Sequence, residues 1–253
     1  MSNFFDRLAF RAALRRWQHL AARADGFDLD VLRQGRGAAR RLRRELDRYL
    51  HVADSRLARP LIGSNSFPKP LHTDWAWRPE AFRGPILPMG RAGVENRTMF
   101  GDEVTLFHDC RVSELTVRQV RNTRAEDLAP LGMRLDVFGF DGSFLSLVID
   151  LPPVAVAGLT RRHLVRMSTQ VEMERPGEIF ARFNVQHGPN TEQIVRELPL
   201  GADEVVVEFD LAYTKMNEKR VERAWVDLIF EGPQMNQIIL RDVTFSRRPR
   251  AEM

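Results

Sequence analysis

Residues 133–150 read MRLDVFGFDGSFLSLVID, and the reading of this stretch decides the fold. Met133, Leu135, Val137 and Gly139 alternate with Arg134, Asp136 and Phe138. A period of two belongs to a strand with one buried face. Asp141-Gly142 follows, a dipeptide that predicts a two-residue hairpin turn. Phe144 to Ile149 is then too apolar for a solvated edge strand.

The same period continues on both sides. Upstream, Leu115 to Val120 is strand-like. Downstream, Val165, Met167, Thr169, Val171 and Met173 occupy every odd position, followed by Ile179, Ala181, Phe183 and Val185. His187-Gly188-Pro189-Asn190 closes that strand with turn residues. Val205, Val207 and Phe209 alternate with Glu208 and Asp210, Val226 and Leu228 flank Asp227, and Ile239, Val243 and Phe245 end the pattern. Eight or nine strands are expected, with no helix of crossover length between them. That excludes a βαβ sheet and predicts a mainly β chain, an antiparallel β-sandwich of jelly-roll type over residues 98–253.

Residues 59–97 carry Pro60, Pro68, Pro70, Pro79, Pro85 and Pro88, which disfavour regular helix and central strand. Trp75, Trp77, Phe82, Ile86 and Leu87 give the segment apolar content, so it is expected to pack on the body as a strap. Residues 1–58 read as an α-helical hairpin. Ala9, Phe10, Ala13, Trp17, Leu20 and Ala21 share one face of a helix over 3–24. Asp25-Gly26 breaks it, and Asp28 or Asp30 can cap a second helix over 29–57. That helix places Val31, Leu32, Ala39, Leu42, Leu46, Tyr49, Leu50, Ala53 and Leu57 on one face. The short connection predicts antiparallel neighbours.

Composition narrows the function classes. The 253 residues are 43% hydrophobic and 28% charged, ordinary values for a globular protein with a sizeable core. No apolar run approaches the roughly 18–20 residues that span a bilayer. Arginines at 7, 11, 15 and 16 interrupt any leader-like apolar stretch. The single cysteine, Cys110, allows no internal disulfide and fits a reducing compartment. A cytoplasmic location is expected, peripheral at the inner membrane if the hairpin meets lipid. Residues 1–60 hold 14 arginines and 7 acidic residues, so the positive excess belongs to the hairpin while the rest is slightly acidic.

Two resemblances add to this. Ala224–Phe230 and Gln237–Ser246, with the turn between them and the embedded Arg241-Asp242-Val243, resemble the closing strands of galactose-binding-like jelly rolls, the fold of many carbohydrate-binding modules. The stretch from Arg182 to Gln193 resembles an uncharacterised family of Rhodobacter-type alphaproteobacteria. The second resemblance implies a bacterial source and brings no assigned activity.

The candidate sites follow from side-chain chemistry. Asn184, His187 and Asn190 offer polar groups around the hairpin tip, and Trp75 and Trp77, two residues apart on an extended segment, offer aromatic faces. Planar polar groups with an aromatic face suit sugar hydroxyls and ring CH groups. Arg7, Arg11, Arg15, Arg40 and Arg44 are candidates for contact with a membrane or another polyanion. His108 and Cys110 share a strand face, but a packing role is favoured over a site. The pairs Glu172/Glu174 and Glu208/Asp210 read as solvated charge rather than as acid–base pairs. No catalytic or metal-ligating residues and no cofactor are expected. The favoured function is a non-enzymatic binding module, with a glycan as ligand, localised or oligomerised by the basic hairpin. The alternatives are a polysaccharide-acting hydrolase or lyase, and a structural or assembly component of phage origin. Among partners of the hairpin, an anionic membrane or a second copy is favoured over nucleic acid.

Overall fold

The computed structural model describes residues 4–57, 61–202 and 204–250. The chain divides into two units, residues 1–57 and 58–253. The first holds α1 (Phe4–Ala22) and α2 (Leu29–Leu57), joined by a 3-10 turn at Ala24–Gly26. The Asp28 carbonyl accepts the Leu32 amide at 3.0 Å, which starts α2. The helices shelter each other only near the turn. Trp17, Leu20, Phe27, Leu32, Ala38 and Ala39 are half-buried there, and no described side chain of either helix is fully buried. Farther out Phe10, Leu14, Leu42, Leu46 and Tyr49 are exposed.

The second unit is an antiparallel two-sheet sandwich. Its strands are β1 (Trp75–Trp77), β2 (Gly90–Ala92), β3 (Thr98–Phe100), β4 (Val104–His108), β5 (Leu115–Arg121), β6 (Leu131–Val137) and β7 (Leu145–Asp150). They continue as β8 (His163–Met173), β9 (Glu178–His187), β10 (Asn190–Glu197), β11 (Val205–Asp210), β12 (Val221–Glu231) and β13 (Asn236–Pro249). Short helices α3 (Glu80–Arg83) and α4 (Pro153–Val156) lie between strands. The seven-stranded sheet runs β11-β8-β13-β6-β5-β2, with β1 on β13. The six-stranded sheet runs β10-β9-β12-β7-β4-β3. The apolar parity expected from the sequence faces inward on both: Met133, Leu135, Leu145, Leu147, Phe183, Phe209, Val226, Leu228 and Phe245 are all buried. Phe183 and Phe209 stack across the core at 5.3 Å between ring centroids.

The connection at Asp141-Gly142 differs from the expected hairpin. β6 belongs to the seven-stranded sheet and β7 to the six-stranded one, so this segment crosses the sandwich. A type I′ turn needs positive φ at both central residues, and neither Asp141 nor Gly142 adopts it. Asp109 holds the crossing instead. Its carboxylate accepts from the Ser143 amide (2.7 Å), the Ser143 hydroxyl (2.6 Å) and the Phe144 amide (3.2 Å). The true two-residue hairpin is β9–β10, where Gly188 at φ +60° precedes Pro189 and His187 pairs with Asn190. β10 carries mostly exposed polar residues at the sheet edge, which is why periodicity did not mark it as a strand.

The proline-rich segment is more ordered than a strap without secondary structure. It contributes β1 and β2 to the seven-stranded sheet, with prolines outside those strands and Pro79 opening α3. Arg78 fixes it. Its guanidinium is fully buried and donates to Asp242 at 2.9 and 2.7 Å, donates to the Ser64 carbonyl at 3.0 Å, and sits 5.1 Å from the Phe67 ring centroid. Phe67 and Pro68 border a small cavity with Ser168, Gln170, Asp242 and Thr244. The part of the strap at residues 64–68 therefore lies on the outer face of the seven-stranded sheet, over Asp242 and Thr244. Asp242, Thr244 and Ser246 are buried although they sit on that face.

Candidate functional site

The outer face of the six-stranded sheet carries an open groove of about 490 Å³. Strand parity builds it. On β12 the residues facing the core are Val226, Leu228 and Phe230, so Arg223, Trp225, Asp227 and Ile229 face outward. The same rule turns Ser146, Val148 and Asp150 outward on β7, Arg182 and Asn184 on β9, and Thr105 and Phe107 on β4. Register then arranges them in rows. Gln193, Asn184, Trp225 and Asp150 are consecutive cross-strand partners. Arg182, Asp227, Val148 and Thr105 form the next row, and Ile229, Ser146 and Phe107 the third.

Two ion pairs brace the floor. Arg182 donates to the buried Asp227 carboxylate at 2.6 Å. Arg223 donates to Asp150 at 2.8 Å and lies 4.6 Å from the Trp225 ring centroid. Asn184 is fully buried, and its amide donates to the Arg182 carbonyl (2.9 Å) and to Asp227 (3.1 Å). The Asn184 Oδ1 and Ser146 Oγ atoms are buried and accept or donate no hydrogen bond among the described residues. A buried polar atom left without a partner costs roughly 1–3 kcal/mol. Asn184 lies next to Trp225 in the first row and Ser146 in the third, and both atoms sit beneath the groove surface.

The structure disperses the residues expected to form one site. Asn184 lies on the groove floor. His187, three residues on and therefore of opposite parity, faces inward and is 5% exposed. Its Nδ1 accepts from the Asn217 amide at 3.3 Å, and its Nε2 is 3.8 Å from Glu192. Asn190 is exposed at the hairpin tip. Trp75 and Trp77 belong to the other sheet and stack on each other at 6.4 Å, with Trp77 also against Phe245 at 5.9 Å. Trp77 is a core residue rather than an open platform.

The remaining expectations resolve locally. His108 donates from Nε2 to the Val94 carbonyl at 2.8 Å, and its Nδ1 accepts the Cys110 amide at 3.2 Å. Both ring nitrogens are thus engaged by backbone. Burial pushes the Cys110 thiol above its ordinary value, which disfavours the thiolate. Among the described residues no group of three or more His, Cys, Asp or Glu side chains is placed to hold a metal. Glu172 bridges Arg124 and Arg241, and Glu208 pairs with Arg248. In the helices Arg11, Arg15, Arg40 and Arg44 are exposed, and the side chain of Arg7 lies outside the described residues. No described helix is long and apolar enough to cross a membrane.

A family model matches residues 1–253 from end to end. The chain belongs to DUF6478, a family of unknown function. No curated protein matches this DUF6478 chain. Solved structures with a similar sandwich include the enzymatically active domain of tailspike protein 4 of bacteriophage CBA120, at 9% identity and a TM-score of 0.41. That match covers 56% of this chain and only 19% of the tailspike chain. Another is the family 11 carbohydrate-binding module from Clostridium thermocellum in complex with a β-1,3-1,4-mixed-linked tetrasaccharide, at 10% identity and a TM-score of 0.40, covering 60% of this chain and 91% of the module. A third is the CBM22-1 xylan-binding domain of Paenibacillus barcinonensis Xyn10C, at 11% identity and a TM-score of 0.37, covering 66% and 96%.

Proposed function

We propose that the sandwich is a non-enzymatic glycan-binding module that takes an extended saccharide along the outer groove of its six-stranded sheet. The basic N-terminal helices localise or oligomerise it. One observation carries the glycan reading: the half-buried Trp225 ring shares the groove with the polar side chains of Gln193, Asp150, Arg182 and Thr105. A pyranose presents a CH face to an aromatic ring and a rim of hydroxyls that donate and accept. The groove falls within the roughly 300–1,000 Å³ of ordinary small-ligand sites. The strap covers part of the other sheet's outer face, around Asp242 and Thr244.

Two carboxylates from adjacent strands, Asp150 and Asp227, also line the groove. Each is ion-paired with an arginine. Asp227 is buried beneath its pair with Arg182, so the two do not both face a substrate as glycosidic cleavage requires, which favours binding.

Affinity electrophoresis through soluble polysaccharides (mixed-linkage β-glucan, xylan and galactan) tests the reading. Retardation is expected on at least one of them. Trp225→Ala should weaken it by about tenfold or more, while Trp75→Ala leaves it unchanged. Retardation that survives Trp225→Ala, or none on any polysaccharide, overturns the proposal.

A further inference from the structure

Helix α2 displays an exposed apolar stripe on a strongly basic element. Leu42, Leu46 and Tyr49 follow one another at spacings of four and three and are 42%, 51% and 70% exposed. The stripe begins near the turn with Val31, 50% exposed. Around the rest of the helix between residues 29 and 49 stand seven arginines against only Asp30, Glu45 and Asp47. Asp30 and Asp47 are taken up by Arg33 at 2.8 Å and Arg43 at 3.4 Å. Arg36, Arg40, Arg41, Arg44 and Arg48 make no ion pair with another described residue, and all five are exposed. Helix α1 adds exposed apolar side chains at Phe10 (67%) and Leu14 (46%), with Arg11 and Arg15 beside them.

We infer that this helical unit docks on an anionic lipid surface, with the Leu42–Leu46–Tyr49 stripe at the acyl boundary and the arginines among the headgroups. Charge decides between the occupants. A second copy could cover the stripe, but it would bring unpaired arginines against unpaired arginines. A nucleic acid would neutralise the arginines and leave the leucines and tyrosine in water. An anionic interface does both at once: it removes apolar area from water and sets each guanidinium near phosphate. Arginine stems long enough to snorkel reconcile the two depths on a helix lying flat in the interface. The inference names the partner for the localising role proposed above. It does not depend on the glycan groove, and the vesicle assay below contains no saccharide.

The full chain is mixed with sucrose-loaded vesicles of phosphatidylcholine, or of phosphatidylcholine with a third phosphatidylglycerol, and sedimented. Pelleting is expected with the anionic vesicles and not with the neutral ones. The pair Leu42→Gln/Leu46→Gln should lower the partition coefficient by about tenfold or more, since two large side chains no longer leave water. Arg40→Gln/Arg44→Gln should lower it on the order of tenfold, and Arg40→Lys/Arg44→Lys should keep it within a factor of about two, because the headgroup attraction follows charge. Far-UV circular dichroism checks that each variant keeps its helix. If the leucine pair does not, the arginine pairs, which leave the stripe intact, decide alone. Equal pelleting with neutral vesicles, or none with anionic ones, overturns the inference. So does binding of a DNA duplex unchanged by the leucine substitutions, or a dimer in sizing whose formation abolishes lipid binding.

Discussion

Arg78 shows how one residue can settle an architecture. Its guanidinium is wholly removed from water and is satisfied by Asp242, the Ser64 carbonyl and the Phe67 ring, so it ties three parts of the chain together. Removing one partner of a buried pair leaves the other charge uncompensated, which typically costs about 3–5 kcal/mol. Arg78→Ala is therefore expected to lower stability by that order in urea unfolding, and Arg78→Met/Asp242→Leu to restore part of it. A loss below about 1 kcal/mol would mean that the strap is held by something else. Cys110 gives a second prediction at this scale. With its thiol pushed above the ordinary value of 9.0 by burial, less thiolate is present at neutral pH. Alkylation by iodoacetamide at pH 7.5 should be slower than for free cysteine and should accelerate as pH rises. A rate equal to or faster than the free amino acid would contradict that environment. At the candidate site the residue scale is also where sequence reading was weakest. Asn184 was legible as a polar strand residue. Its alliance with Trp225 and Asp227 was not, because those residues come from β12, 41 and 43 positions later in the chain.

Elements are stabilised by local backbone choices and by the charges that bridge neighbouring strands. The β9–β10 hairpin turns on Gly188, at φ +60°. A Cβ added there would have room, the nearest atom being Arg220 Cδ at 3.6 Å. The cost of Gly188→Ala is accordingly one of backbone strain, about 1–2 kcal/mol, visible as a lower Tm. An unchanged Tm would show that the hairpin can reform with another turn. Glu172 on β8 joins Arg241 on β13 and Arg124 in the β5–β6 loop. The Arg241 guanidinium, by hydrogen bond and charge, holds the Glu172 carboxyl below its usual value of 4.5. A depressed carboxyl binds fewer protons in the folded state, so its contribution is present above about pH 4.5 and is lost as pH falls toward the folded value. Glu172→Gln should flatten the stability curve of the wild type between about pH 5 and pH 3, read by denaturant midpoints. Parallel curves for the two proteins would exclude the network as a source of acid sensitivity.

On the scale of the whole molecule, every described residue of the buried hydrophobic core comes from Trp77 onward. A chain starting at residue 61 is thus expected to unfold in one cooperative step with a Tm within a few degrees of the full chain, measured by calorimetry. A truncated chain that fails to fold would show that residues 1–57 belong to the sandwich's stability. The same truncation should leave polysaccharide retardation intact and remove vesicle binding, which separates the two proposals.

Periodicity alone determined that this chain is a sandwich preceded by helices. Alternation commits one face of each strand to the core, and burying that face is the dominant favourable term in folding. The distribution of arginine along the chain places the positive excess in residues 1–60. Only the tertiary structure decided which sheet each strand joins. Asp141-Gly142 illustrates the reason. The dipeptide permits a tight hairpin, but a carboxylate 34 residues away at Asp109 captures the Ser143 amide and sends the chain across to the other sheet. Only the tertiary structure, again, decided where on the outer faces a groove forms. The strap covers part of one face around Arg78 and Asp242, and strand register brings Gln193, Asn184, Trp225 and Asp150 into one row on the other. Periodicity marks the face on which a side chain lies, but which strands become neighbours depends on the pairing of distant segments, and the groove depends on that pairing.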